Sequence, residues 1–230
     1  MKAIPINKVS LLAVIVFLGG CASASYSGSH KGRIEQRYYV LSPAATVSPK
    51  KAVEPRPKYM LNTEVSLPIY LARKEIVTRL LAQEVGVSSS ECWLEPLDES
   101  VGSAFRHDLA QHLGVELMAA DYVLDRGVRP EDSVSVQVEI IQFDGPVNGE
   151  VTLRARWGLS WNYKGGNKFW HTSAGQGEVK VKVADSKGSD YNAYVGAMSQ
   201  ALDALAGLIA QDVRKLVDSK PVAVENQVSK

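Results

Sequence analysis

Val134, Val136, Val138 and Ile140 alternate with Ser135, Gln137 and Glu139. That period of two marks a strand with one buried face and one wet face. The phase then slips, so that Ile141 and Phe143 carry the apolar series on, which predicts a β-bulge near Ile140. After the turn signal Asp144-Gly145-Pro146, the residues Val151, Leu153, Ala155, Trp157, Leu159, Trp161 and Tyr163 face one way, against Thr152, Arg154, Arg156, Ser160 and Asn162. Gly165, Gly166 and Asn167 turn the chain into a third strand, residues 168–183, with Val179, Val181 and Val183 inward and Lys180 and Lys182 outward.

Two segments carry the helical period instead. Leu97, Val101, Ala104, Phe105, Leu109 and Leu113 predict one helix, with Asp98 as its N-cap and Gly114 as its stop. The second, residues 190–217, shows a stripe of Tyr194, Val195, Met198, Leu202, Leu205, Leu208, Ile209, Val213 and Leu216. Asn192, Gln200, Asp203, Gln211, Lys215 and Asp218 supply its polar surface, and residues 219–230 form a tail without a periodic core.

The first half of the chain is less regular. Residues 37–41 have the aromatic and β-branched content of a strand. Pro43, Pro49, Pro55 and Pro57 make 42–58 a long exposed connection. A strand over 59–65 leads to Leu67, Pro68, Ile69, Tyr70 and Leu71, where the proline marks a sheet edge or a turn. Leu67, Pro68, Tyr70 and Leu71 are the candidate partner-binding residues, because apolar side chains beside a proline outside the alternation shape an edge groove. Packing of this loop onto the body is the competing reading. Ile76, Val77, Leu80, Leu81 and Glu84 have helical spacing but β-branched content, so periodicity by itself gives a helix there. Residues 85–97 follow with Cys92 and Trp93, and 117–124 is apolar enough for a further strand. The sum is an α+β fold, an antiparallel sheet with two amphipathic helices packed on one face.

Charge and chemistry narrow the function classes. There are 26 basic and 25 acidic residues. Loss of the first twenty residues would remove Lys2 and Lys8 and leave a net charge near zero. No basic footprint for nucleic acid remains. The four histidines lack metal-ligand spacing, and His107 and His112 are five apart on the first helix, off a shared face. Ser160 lacks a nucleophile-elbow glycine pattern, no phosphate-binding glycine loop occurs, and Cys92 reads as a buried structural thiol. Trp157, Trp161 and Tyr163 read as core beneath the helices rather than as the lining of a ligand cavity. The chain is therefore expected to be no enzyme, and to need no metal or dissociable cofactor.

The amino terminus decides where the body lives. Lys2 and Lys8 precede an apolar run from Val9 to Leu18, followed by Gly19, Gly20 and Cys21. The run has the length of a signal-peptide core and is too short to span a bilayer. Leu18-Gly19-Gly20-Cys21 resembles the lipobox of bacterial lipoproteins. That resemblance implies cleavage before Cys21, a diacylglycerol on its sulfur and an N-acyl chain on its new amine. The alternative is an ordinary secretory cut near Ala22 or Ala24. Ala22, followed by Ser23, stands directly after the cysteine, where inner-membrane lipoproteins usually carry Asp, which implies the periplasmic face of the outer membrane of a Gram-negative bacterium. The expected organisation is a signal peptide over 1–20, lipidated cysteine and tether over 21–36, one domain over 37–218 and a tail over 219–230.

Tyr38-Tyr39-Val40-Leu41, then Leu67-Pro68-Ile69-Tyr70-Leu71-Ala72-Arg73 with Ile76, Val77 and Arg79, then Trp93-Leu94-Glu95-Pro96-Leu97, resemble in their order the ABC-type transport auxiliary lipoproteins, the PqiC-like family. The resemblance implies a strand over 75–81, against the periodicity. It also implies a fold similar to the amino-terminal domain of TolB-like proteins. In function it implies an accessory subunit of an envelope lipid-transport system supporting membrane integrity, partnered by an MCE-domain protein and inner-membrane transporter subunits. Self-association into a homo-oligomer is open. A self-contained periplasmic lipid carrier or chaperone is the alternative.

Overall fold

The computed structural model describes residues 35–44, 59–115, 132–163, 169–184 and 189–219. Its elements run β1 (Arg37–Tyr39), β2 (Tyr59–Ser66), a 3-10 turn (Ile69–Leu71), β3 (Glu75–Arg79), β4 (Val85–Trp93), α1 (Leu97–Leu113), β5 (Asp132–Asp144), β6 (Glu150–Tyr163), β7 (Phe169–Lys182) and α2 (Tyr191–Asp218). Residues 117–124, read from sequence as a strand, lie outside the described residues, as do the amino-terminal segment with Cys21 and the tail beyond 219.

The expected α+β class is what the chain adopts, but the strands form two mixed sheets rather than one antiparallel sheet. One has the order β1-β4-β3 and the other β2-β5-β6-β7. β1 runs parallel to β4, and β2 parallel to β5. Parallel neighbours require a long crossover. Between β2 and β5 the chain makes β3, β4 and α1, so the crossover exists, but alternation along a single strand carries no information about its neighbour's direction.

In the four-stranded sheet the alternation translates directly into burial. Val134, Val136, Val138, Ile140, Val151, Leu153, Ala155, Trp157, Leu159 and Trp161 are buried. The β5–β6 register shifts between Ile140 and Gln142, at the predicted bulge, and Ile141 is left exposed. α2 lies over β6 and β7, and α1 contacts both α2 and β2. The α2 stripe is buried except for Leu208, which is 40% exposed beside the β7 edge. Asp190 caps this helix, its carboxylate accepting from the N–H groups of Asn192 and Ala193. By length and composition α2 could cross a membrane, yet its apolar stripe is the floor of the core.

Two local readings are corrected. Asp98 is not the cap of α1, because Pro96 occupies the N-cap position. Asp98 and Glu99 fall in the first turn, where carboxylates favour the helix dipole. The stop at Gly114 is as expected, in the left-handed conformation at φ 69°. Residues 75–79 form a strand, as the family resemblance implied and the periodicity did not. Ile76 and Val77 are buried while Leu80 and Leu81 are exposed in the turn, so the helical spacing was a coincidence of strand and turn.

Candidate functional site

The loop after β2 turns on Pro68, whose φ of −59° starts the 3-10 turn. The Pro68 carbonyl accepts from the N–H of Leu71 at 3.0 Å. Leu71 is 2% exposed, and Leu67 and Tyr70 pack partly buried against the core. The loop therefore lies on the body, and the residue it presents to solvent is Ile69, 90% exposed. No pattern in the sequence separates Ile69 from its neighbours, since the tight turn alone decides which side chain points out.

Beneath this loop the two sheets are joined by a polar cluster around Asp144, whose side chain is fully buried. Its Oδ2 accepts from Arg79 Nη2 at 2.6 Å and from the Tyr70 hydroxyl at 2.8 Å. Oδ1 accepts from Arg79 Nε at 3.1 Å and Gln142 Nε2 at 2.9 Å. A buried carboxylate accepting four hydrogen bonds, two of them from one guanidinium, has its desolvation offset. Burial, reinforced by Asp144, pushes the Tyr70 hydroxyl up to about 12, and the hydrogen bond to Asp144 raises Arg79. The main chain follows the same seam: Arg79 N–H donates to Gly145 C=O, and the buried Tyr194 hydroxyl accepts from Gly145 N–H and donates to Val77 C=O. Arg79 and Asp144 are 65 residues apart in the chain, which is why the sequence does not show them as a pair.

A second buried carboxylate, Glu91, holds β1 to β4. It accepts from Arg37, from the Tyr39 hydroxyl at 2.7 Å and from the Ser90 hydroxyl at 2.9 Å. Burial works against its charge, but these three donors together outweigh it and lower its pKa.

The helices meet over a third polar group. Asp108 on α1 is 1% exposed, and neither carboxylate oxygen has a formed hydrogen bond. Burial first, and then the charge of Asp203 on α2, push it up to about 7. The backbone N–H of Ala44 and the ring of His112 pull the other way. His112 Nε2 stands 2.8 Å from Asp203 Oδ1, and Arg214 donates to the His112 carbonyl. His107 pairs instead with Gln111. Among the described residues no three His, Cys, Asp or Glu side chains converge as metal ligands, and Cys92 is buried.

The inner face of the four-stranded sheet is packed. The Trp157 indole lies so close over Gly175 that a Cβ there would approach its Cε2 to 2.5 Å, and its Nε1 donates to Asp212 on α2. A trough of about 700 Å³ opens on this sheet, with Glu64, Gln137, Glu139, Arg156, Gly158 and Ala174 in its lining. These positions alternate away from the helices, so the trough opens on the solvent face of the sheet, with apolar as well as polar surface in its lining.

Solved structures share this fold at low identity. An uncharacterized protein matches with a TM-score of 0.54 and 19% identity over 78% of this chain and 99% of its own. A Xanthomonas campestris protein of the DUF330 family matches with a TM-score of 0.53 and 14% identity over 79% and 95%. A minor lipoprotein from Acinetobacter baumannii is more distant, with a TM-score of 0.33 and 15% identity over 70% of this chain and 94% of its own. No curated protein matches the chain. The model of the ABC-type transport auxiliary lipoprotein component matches residues 39–210, from β1 into the last turns of α2, and the chain belongs to that family.

Proposed function

We propose that this chain is a non-catalytic, lipid-anchored accessory subunit of an envelope lipid-transport system, and that its body acts by docking. Cys21 carries the diacylglycerol and N-acyl chains and holds the body at the periplasmic face of the outer membrane. A single acyl chain gives reversible attachment, whereas two or more anchor a protein stably. The partner is an MCE-domain protein of a complex that includes inner-membrane transporter subunits. The observation that carries this reading is the conjunction of the Leu18-to-Cys21 motif with a family of transport auxiliary lipoproteins matched over residues 39–210.

The competing carrier reading needs an enclosed apolar cavity between sheet and helices. Trp157 fills the place against Gly175 where such a space would begin, and the trough opens on the opposite, solvent face of the sheet. Docking is tested by affinity capture of the full chain from gently solubilised envelopes. Recovery of an MCE-domain protein supports it, and capture of the chain without one contradicts it.

A further inference from the structure

Ten large hydrophobic residues are exposed among the described ones, and four of them, Leu80, Leu81, Val85 and Val87, belong to the β3–β4 hairpin. Leu80 and Leu81 are 55% and 66% exposed. Single exposed apolar residues need no explanation, but here Val85 and Val87 lie on one face of β4 and the Leu80 side chain lies beside Gly86 on the other, so the hairpin end is apolar on both faces. The tip is held in shape. Leu80 N–H donates to Glu84 C=O at 2.9 Å and Glu84 N–H to Leu81 C=O at 3.2 Å. Arg79, fixed by Asp144, also donates to Ala82 C=O from behind. Ile69 sits at the same end of the molecule, next to Tyr70, whose ring lies 6.0 Å from the Arg79 guanidinium carbon.

Topology says what this end faces. β1 runs parallel to β4 with Arg37 beside Glu91, so the amino-terminal end of β1 points back along β4 toward Val85 and the tip. Glu91 lies six residue steps along the strand from Val85, about 20 Å. Fifteen residues lie between Cys21 and Arg37. A chain of that length can reach at most about 50 Å. The number of residues to Cys21, and the strand end at which they join the body, therefore leave the hairpin tip within reach of a surface that seats the Cys21 lipid.

We infer that the β3–β4 tip is a membrane-contact element, whose Leu80 and Leu81 enter the lipid surface that carries the Cys21 anchor and so fix the orientation of the body. This rests on the anchor reading above. Glu84 is the one formally charged residue among 80–85, and its place in the turn lets it stay at headgroup level. Two leucines give far less than the acyl chains do. Their effect is to fix the orientation of the body, which the acyl chains by themselves do not set.

The test uses the lipidated full-length mature chain bearing Leu81→Cys labelled with an environment-sensitive fluorophore, reconstituted in vesicles of phosphatidylethanolamine and phosphatidylglycerol. Cys92 is buried and spared, and Leu81 is exposed, so the label leaves the fold intact. A label at Gln176, on the solvent face of β7, is the control. Co-flotation with a blue shift at 81, and loss of most of its emission to quencher-bearing lipids, is expected, with neither change at 176. A chain that floats while the label at 81 behaves like that at 176 overturns the inference and leaves the anchor standing. A chain that does not float overturns both.

Discussion

Asp144 Oδ2 and Arg79 Nη2 meet at 2.6 Å, with the carboxylate fully buried and the guanidinium side chain 21% exposed. This pair is the rivet between the two sheets. Through the backbone bond from Arg79 to Gly145 and the bridging Tyr194 hydroxyl, it fixes the hairpin on the four-stranded body.

Asp144→Ala leaves a cation and the Tyr70 hydroxyl without their acceptor. Removing one partner of a buried ion pair costs about 3–5 kcal/mol, and urea denaturation should show a loss of that size. Tyr70→Phe removes one neutral donor from the same carboxylate and should cost about 1 kcal/mol. Equal losses in the two variants would contradict the central place given to Asp144.

Asp108 gives the stability a pH dependence whose sign is fixed. Its folded pKa, about 7, lies above the ordinary 3.8. Between those values the folded state binds more protons than the unfolded chain, so stability falls as pH rises from 4 to 7. At about 1.4 kcal/mol per pKa unit, the ceiling is about 4 kcal/mol. Asp108→Asn should flatten this slope, stabilise the protein at pH 8 and change little at pH 4, as read from thermal melts across that range. Parallel pH profiles for the two proteins would refute the assignment. Asp203, His112 and the Ala44 N–H are the groups facing Asp108, and Asp203→Asn should reduce the slope less.

Gly175 and Gly158 face opposite sides of the same sheet and should respond differently to an added methyl. Gly175→Ala drives a Cβ to 2.5 Å from Trp157, an overpacking that costs about 1–3 kcal/mol and should alter near-ultraviolet tryptophan dichroism. Gly158→Ala meets nothing within 4 Å and should stay within about 0.5 kcal/mol of the parent.

What could be read from the sequence was whatever depends on local period. The alternation over 134–163, the bulge at Ile140, the α2 stripe and the Gly114 stop are all set by which face of one element is buried. Strand direction and sheet membership are set by distant partners, so the parallel pairs β1–β4 and β2–β5 were not legible. The strand at 75–79 came from family resemblance, because Leu80 and Leu81 belong to a turn whose spacing imitates a helix. Of the edge-loop residues, Leu67, Pro68, Tyr70 and Leu71 stood out by composition, yet Leu71 is buried and Ile69 faces solvent. Tyr70, Arg79 and Asp144 each appear in the sequence as parts of separate motifs, and nothing there joins them, since they become neighbours only on folding.

The central claim is that a lipid on Cys21 places this body at the outer membrane. Its most direct measurement is envelope fractionation with labelled fatty acid, comparing the parent chain with Cys21→Ala. The account predicts label on the parent and its recovery with the outer membrane, with both lost in the variant. A Cys21→Ala chain that still fractionates with the outer membrane, or a parent chain without label, would contradict it.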